Sequence, residues 1–137
     1  INKYPTIEPY KTEWQVFDSK SSVAGTIDMV YKKPNGELFI FDWKRTTKLV
    51  NDIGTIIKSD FEYGYDELEN LSNNSYNKYC LQQNLYKYIL EDNYGEKVSS
   101  MNILVLHPRY HTYFHLQVPN LIKETEFLIR KAREKSI

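Results

Sequence analysis

Several features that mark particular protein classes are missing from this sequence. One cysteine, Cys80, stands among 137 residues, which excludes an internal disulfide and any zinc or iron–sulfur site held by several cysteines of the chain. No apolar run approaches the roughly 20 residues that a membrane-spanning helix needs, and the chain does not open like a signal peptide. We therefore expect an intracellular protein that is not secreted and has no membrane partner.

A surplus of basic charge is missing as well. The 18 lysine and arginine residues balance 18 aspartate and glutamate residues, so the formal net charge is zero. Proteins that hold nucleic acid through its phosphates usually carry a basic surplus, because neutralising phosphates releases counterions. The overall charge therefore gives no support for a nucleic-acid partner.

The composition is that of a folded domain. Hydrophobic residues make up 41% of the chain, charged residues 26% and aromatic residues 15%, which are proportions typical of globular proteins. A chain of 137 residues suits one hydrophobic core, so we predict a single domain over residues 1–137. Because no Met opens the chain, we also keep open that it is a fragment of a larger protein.

A hairpin is the clearest local prediction. β-branched and aromatic residues fill two runs, 23–32 and 37–44, on either side of Pro34-Asn35-Gly36, a strong turn signal. Both runs are apolar at odd and even positions, so we expect strands that are covered on both faces.

Residue patterns in the rest of the chain predict further strands and two helices. Apolar spacings of three and four predict a helix over residues 76–92, with Gly95 beyond its end. The predicted order is a strand (12–18), the hairpin, a long polar loop (45–74), the helix, two strands (101–107 and 113–118) and a last helix (121–135) that covers the sheet. This order predicts an α/β fold with a central mixed sheet of about five strands flanked by helices.

Two acidic residues, Asp28 and Asp42, interrupt the apolar strands of the hairpin. An ionised carboxylate in a buried strand is costly unless it is paired, hydrogen-bonded or bound to a metal ion, so both are candidate site residues. Lys44 follows Asp42 at the spacing that places both side chains on one face of a strand. Structural carboxylates with a salt bridge to Lys44 are the alternative interpretation of the same pattern.

The length of the hairpin loop decides whether Asp28 and Asp42 meet. A three-residue loop, with Gly36 in the left-handed conformation, places Asp28 opposite Asp42 with Cβ atoms about 5 Å apart. A two-residue turn instead places Asp28 opposite Trp43 and separates the two carboxylates onto different faces. Two carboxylates so close repel each other unless a divalent cation lies between them, and such oxygen ligands suit Mg²⁺ or Mn²⁺.

Three short motifs follow one another along the chain. They are Gly25-Thr26-Ile27-Asp28, Asp42-Trp43-Lys44 and, on the predicted helix, Gln82 to Tyr86. In this order the chain resembles the PD-(D/E)XK nuclease superfamily, specifically its RecB-like exonuclease branch, with its GxxD, DxK and QxxxY motifs. The resemblance covers about residues 13–86 and implies a restriction-endonuclease-like core.

The resemblance implies a role for each matching residue. Asp28 and Asp42 would bind Mg²⁺ or Mn²⁺ together with the backbone carbonyl of Trp43, and Glu13 is the candidate for a further acidic ligand. Lys44 would orient the attacking water and stabilise the charge that develops on the phosphate. The residues expected to take part in catalysis are Asp28, Asp42, Lys44 and Gln82, and those expected to bind nucleic acid are Tyr86, Arg45 and Lys48.

The activity that the resemblance implies is metal-dependent hydrolysis of phosphodiester bonds in DNA, by an exonuclease or flap-type nuclease that acts on single-stranded ends. RNA is not excluded as a substrate, and a helicase or another replication protein is the expected partner or fused domain. The expected location is the cytoplasm or a nucleoid or replication site. The alternative is a catalytically inactive nuclease-like module that binds nucleic acid or another protein within a replication or repair machine.

Other polar residues are expected to be ordinary surface residues. Gln83 is predicted to face solvent beside the glutamine and tyrosine of the third motif. Arg133 belongs to a basic run that is typical of the solvated end of a helix. The three histidines have no zinc-ligand spacing with the cysteine, so we expect no zinc site.

Overall fold

The structure, a computed structural model, describes residues 8–46, 49–51, 53–56, 75–110 and 112–135. These residues form five strands and two helices: β1 (Glu8–Phe17), β2 (Ala24–Lys32), β3 (Leu38–Arg45), α1 (Ser75–Asn93), β4 (Val98–Leu106), β5 (Phe114–Gln117) and α2 (Ile122–Lys135). The predicted α/β fold, with a mixed five-stranded sheet flanked by helices, is confirmed. Neither described helix combines the length and the apolar character needed to cross a membrane.

The five strands form one sheet in chain order, β1-β2-β3-β4-β5. Neighbouring strands are antiparallel except β3 and β4, which are parallel. Parallel neighbours need a long crossover connection, and α1 lies within it between β3 and β4. This topology is consistent with a restriction-endonuclease-like core, and it places β3, the strand that carries Asp42, in the middle of the sheet.

The hairpin between β2 and β3 has a three-residue loop. Met29 pairs with Phe41 and Val30 pairs with Ile40, and Gly36 has a φ of 90°, in the left-handed region. The Gly36 N–H donates to the carbonyl oxygen of Lys33 at 2.9 Å, which closes the loop. Of the two predicted registers, the structure has the one that places Asp28 opposite Asp42.

The two faces of β3 differ in burial. Leu38, Ile40 and Asp42 are buried on one face, whereas Phe39 and Phe41 are half-buried and Trp43 is exposed. The expectation that the hairpin strands are covered on both faces is therefore wrong for this part of β3. The physical reason is that α2, among the described elements, packs chiefly against α1 rather than on the sheet.

The edge strand and the loop after β3 also differ from the prediction. β1 begins at Glu8 rather than at residue 12, because backbone pairing with β2 continues past an irregularity between Pro9 and Lys11. In the predicted long loop, Val50 and Ile56 form a β-bridge, and the Tyr110 hydroxyl donates to the Val50 carbonyl oxygen at 2.6 Å. Most of the remaining predicted loop lies outside the described residues.

A charged cluster joins the far ends of β1, α1 and α2. The guanidinium of Arg133 donates two hydrogen bonds to the carboxylate of Asp18, at 3.0 and 2.8 Å, and pairs with Asp92 at 2.9 Å. The side-chain amide of Asn93 donates a further hydrogen bond to Asp18, which is only 1% exposed. The prediction that Arg133 belongs to a solvated helix end is therefore wrong, because its guanidinium neutralises a buried carboxylate.

Candidate functional site

The strand β3 brings Asp42 and Lys44 to the buried face of the sheet, where α1 packs. Asp42 is 4% exposed, and its Oδ2 lies 2.7 Å from Nζ of Lys44. The Lys44 ammonium also donates a hydrogen bond to Oε1 of Gln82 at 3.2 Å and lies 4.3 Å from the centre of the Tyr79 ring. The lysine of the second motif is therefore held by both its own strand and the helix of the third motif.

Asp28 reaches the same place from β2. Regular pairing between β2 and β3 ends at Met29 and Phe41, and beyond it Oδ2 of Asp28 accepts a hydrogen bond from the Trp43 N–H at 2.9 Å. The side chain thus binds the backbone of the second motif between its aspartate and its lysine. The carboxyl group of Asp28 is also close enough to that of Asp42 to raise its pKa. The predicted meeting of the two acids is therefore present in the structure.

The environment of Asp42 favours its protonated form. Burial, and then the hydrogen bond with the Asp28 carboxyl, raise the pKa of Asp42 to about 6, and the ammonium of Lys44 opposes this rise. Although Lys44 is close, its direction of approach is unfavourable for hydrogen bonding, and Oδ2 of Asp42 accepts no hydrogen bond from the described residues. The site therefore contains a buried, incompletely satisfied carboxylate oxygen.

Tyr86 packs the third motif against the first. A methyl group at Gly25 would overlap the Tyr86 ring and lie 2.9 Å from its hydroxyl oxygen, so the close approach requires glycine. Burial and the charges of Asp42 and Asp28 raise the pKa of Tyr86, while hydrogen bonds with the Thr26 backbone and the Gln82 side chain lower it. Residues from all three motifs thus lie around one point between the sheet and α1.

Two other predicted site residues, Arg45 and Glu13, lie outside this cluster. Arg45, next along β3, is exposed and lines a separate cavity with His107 and Tyr110. In the pairing of β1 with β2, the residues on either side of Glu13 pair with the residues on either side of Asp28. Glu13 is exposed and has a φ of 47°. Lys48 lies outside the described residues. The predicted roles of these residues, and of the Trp43 carbonyl, stay predictions.

The donor set around Asp42 fits a divalent cation in its chemistry. The carboxyl groups of Asp28 and Asp42 offer the hard oxygen ligands that Mg²⁺ and Mn²⁺ prefer, and a cation bound by Oδ2 of Asp42 would share or replace the contact of that atom with the Lys44 ammonium. No three His, Cys, Asp or Glu side chains converge as a metal-binding group in the described ranges. Asp28 and Asp42 could therefore supply two protein ligands, and further ligands would come from the backbone, water or substrate.

Two residues near the site were missed or misjudged from the sequence. Tyr79 stands one helical turn before Gln82, and this spacing alone could have placed its ring beside Lys44. Gln83, predicted to face solvent, is completely buried, and within the described part of the chain neither polar atom of its side-chain amide has a hydrogen-bond partner. That prediction is wrong because Gln83 lies on the helix face that packs against the sheet.

No protein-family model matches the chain, and no curated protein matches its sequence. The resemblance to PD-(D/E)XK nucleases therefore depends on the three motifs and on the way in which the fold brings them together.

Proposed function

We propose that this protein is a divalent-metal-dependent nuclease that hydrolyses phosphodiester bonds in DNA and acts on single-stranded ends or flaps. The observation that carries the proposal is the contact of Lys44 with both Asp42, at 2.7 Å, and Gln82, at 3.2 Å, beside the hydrogen-bonded carboxyl of Asp28. Polar groups that are far apart in sequence converge here at a cost in desolvation, which is typical of a functional site.

Each residue of the cluster has a chemical task in this proposal. Asp28 and Asp42 would hold Mg²⁺ or Mn²⁺, which supplies Lewis-acid activation of water and of the scissile phosphate when bound. Lys44 places a positive charge where negative charge develops on the phosphate during attack. Gln82 accepts a hydrogen bond from Lys44 and so orients its ammonium. Asp28 fixes the backbone of the second motif through the Trp43 N–H.

The balance of charges fits a site that needs its metal ion to hold DNA. The formal net charge is zero, and two acids meet at the site, so unaided affinity for phosphates is low. A divalent cation reverses the local charge and attracts a phosphate. We therefore expect weak, strongly salt-dependent DNA binding in the absence of metal.

Cleavage of end-labelled single-stranded, duplex and flap DNA with Mg²⁺ or Mn²⁺ tests the proposal. Asp42→Asn and Lys44→Ala should each lower the cleavage rate by about 10²- to 10³-fold, as expected for loss of a group that stabilises transition-state charge. Lys123→Ala, an exposed lysine on α2, is the matched control and should keep the wild-type rate. Equal rates for wild type, Asp42→Asn and Lys44→Ala would refute the proposed activity.

A second candidate function is a nuclease-like module that binds nucleic acid or a protein without cutting. The close ion pair of Lys44 with Asp42 favours it, because this pair neutralises Asp42 without a metal ion. Calorimetric titration with Mn²⁺ separates the two candidates. Saturable binding that Asp42→Asn abolishes supports the nuclease, whereas the absence of saturable binding to wild type supports the inactive module.

A further inference from the structure

A groove of about 320 Å³ lies beside the candidate site, between the start of β2 and one flank of α1. Val23, just before β2, and Ala24, its first residue, line the groove on one side, and Leu81 and Leu85 of α1 line it on the other. Its volume is at the lower end of the range of about 300–1,000 Å³ that is usual for small-molecule sites. The groove is therefore large enough for a group of the size of a single nucleotide, but not for a folded partner.

The groove is continuous with the site because Gln82 and Tyr86 belong to both. Gln82 lines the groove and accepts the hydrogen bond from Lys44. Tyr86 lines the groove and packs its ring against Gly25 of the first motif. A ligand in the groove would thus lie directly beside the groups proposed to act on the phosphate.

Two leucines of the groove stand apart from the core of the sheet. Leu81 and Leu85 are one helical turn apart, partly exposed, and outside the hydrophobic core cluster that joins α1 to the sheet. Neighbouring helix positions such as Ile89 and Leu90 are completely buried. Half-exposed apolar side chains beside a polar site can bind the flat, weakly polar face of a nucleobase.

The charge of the groove has one sign. Lys78 is exposed at the groove, and none of the other described residues that line it is charged. An apolar wall with a single cation matches a ligand that is apolar on one side and anionic on the other. A nucleotide has this combination in its base and its phosphate, whereas an apolar peptide segment would gain nothing from the charge of Lys78.

From these observations we infer that the groove binds one unpaired nucleotide of the substrate strand, next to the scissile phosphate. Its base would pack against Leu81 and Leu85, and its phosphate would pair with Lys78. The inference rests on the proposed function and adds a specificity to it. Because a base held in a double helix cannot enter the groove, the groove favours a frayed or single-stranded end.

Binding can be tested without cleavage. Protein with ¹³C-labelled leucine methyl groups is titrated in EDTA with a four-nucleotide thymidine oligomer, and separately with thymidine, which has no phosphate. We expect saturable shifts of the Leu81 and Leu85 methyl signals with both ligands. Lys78→Glu should weaken the oligomer about tenfold and leave thymidine unchanged, whereas the charge-matched control Lys123→Glu should change neither affinity.

Two substitutions of Leu85, one that adds a charge and one that only shortens the side chain, keep the test valid even if one of the variants does not fold. Leu85→Glu and the milder Leu85→Ala should each weaken oligomer binding about tenfold or more, in line with the loss of one base contact. The inference is overturned if the Leu81 and Leu85 methyl signals do not respond to the oligomer. It is also overturned if they respond to an apolar peptide but not to the oligomer.

A cleavage experiment separates failure of this inference from failure of the proposed function. Wild type is given DNA with an abasic residue at either side of the scissile phosphate, and we expect one of these positions to slow cleavage about tenfold or more. If wild type cleaves but is insensitive at both positions, the groove inference fails and the nuclease stands. If wild type cleaves nothing although the leucine methyl signals respond, the nuclease fails and the groove remains a nucleotide-binding site.

Discussion

The ring of Tyr86 lies against the backbone of Gly25 so closely that a methyl group at Gly25 would overlap it. This contact joins the first motif on β2 to the third motif on α1, and it explains in steric terms why glycine stands three residues before Asp28. The same tyrosine lines a groove together with Gln82, which accepts a hydrogen bond from Lys44. A change at Gly25 should therefore move the groups that hold Lys44, although Gly25 itself has no chemical role.

Gly25→Ala should destabilise the fold by about 1–3 kcal/mol, because the added methyl group displaces the Tyr86 ring in a packed interface. Urea unfolding of wild type and variant measures this difference. In a Tyr86→Leu background the same substitution should cost clearly less, since the overlapping ring is gone. Additive effects of Gly25→Ala and Tyr86→Leu would show that the contact does not limit the space at Gly25.

The raised pKa of Asp42 predicts a specific dependence of stability on pH. The pKa rises from its ordinary value of 3.8 to about 6 in the folded protein, so the folded state holds more protons than the unfolded chain between these values. The free energy of unfolding should therefore fall as the pH rises from about 4 to about 6, by on the order of 2 kcal/mol.

Asp42→Asn removes this effect, because asparagine does not titrate, and it also takes the charge of Asp42 away from Asp28 and Lys44. We expect the wild-type free energy of unfolding, measured in EDTA, to fall more steeply with pH than that of Asp42→Asn in this window. Parallel pH profiles of the two proteins would contradict the assignment of the raised pKa to Asp42.

Arg133→Gln should destabilise the protein by about 2 kcal/mol at neutral pH, because the buried carboxylate of Asp18 loses its cation. This loss of stability is smaller than the loss expected on breaking a deeply buried ion pair, since Arg133 is partly exposed. Hydrogen bonding to Arg133 holds the pKa of Asp18 well below its usual range, so this stabilisation is complete above about pH 4 and is lost as the pH falls below it.

Denaturant unfolding at pH 7 and pH 3 checks both parts of this expectation. Lys131→Gln is the matched control, because Lys131 pairs with Glu134 at 3.9 Å on an exposed surface and should change stability by less than about 0.5 kcal/mol. Equal losses for Arg133→Gln and Lys131→Gln would mean that the pair with Asp18 is no stronger than a surface pair.

Gln83→Met should stabilise the protein by about 1–2 kcal/mol. Both polar atoms of the Gln83 amide are buried and find no hydrogen-bond partner among the residues that the structure describes, and methionine has a similar volume without this cost. Gln82→Met is the comparison, and it should give no such gain because Gln82 accepts a hydrogen bond from Lys44. A less stable Gln83→Met protein would indicate that the amide is satisfied in solution.

Local patterns predicted the parts of the fold that depend on neighbours in sequence. The turn residues 34–36 limited the hairpin to two registers, and the spacing of Asp42 and Lys44 placed both side chains on one face of β3. The resemblance named Gln82 and Lys44 together as expected catalytic residues, and in the structure the two side chains are in contact. These features could be predicted because a turn, a strand and a helix each impose a short repeat on side-chain direction.

The features that could not be predicted depend on which surfaces meet in three dimensions. The charge of Arg133 predicted a solvent-exposed side chain. Its partner Asp18 could not be found from local patterns because it is 115 residues away along the chain. The packing of α2 against α1 follows from the complete topology and not from the sequence of α2. Gln83 is different, because its spacing from Tyr79 and Tyr86 already indicated the buried face, and only its polarity suggested otherwise.

The surroundings of Lys44 have a further consequence, for the entropy of the proposed reaction. A free lysine side chain has about 2 kcal/mol of rotamer entropy, most of which is lost when its ammonium is held in one position. In this protein Asp42, Gln82 and the Tyr79 ring already hold that ammonium before any substrate arrives. The entropy cost of ordering the Lys44 side chain is therefore part of the free energy of folding. A phosphate that enters the proposed site would meet a cation that is already in place.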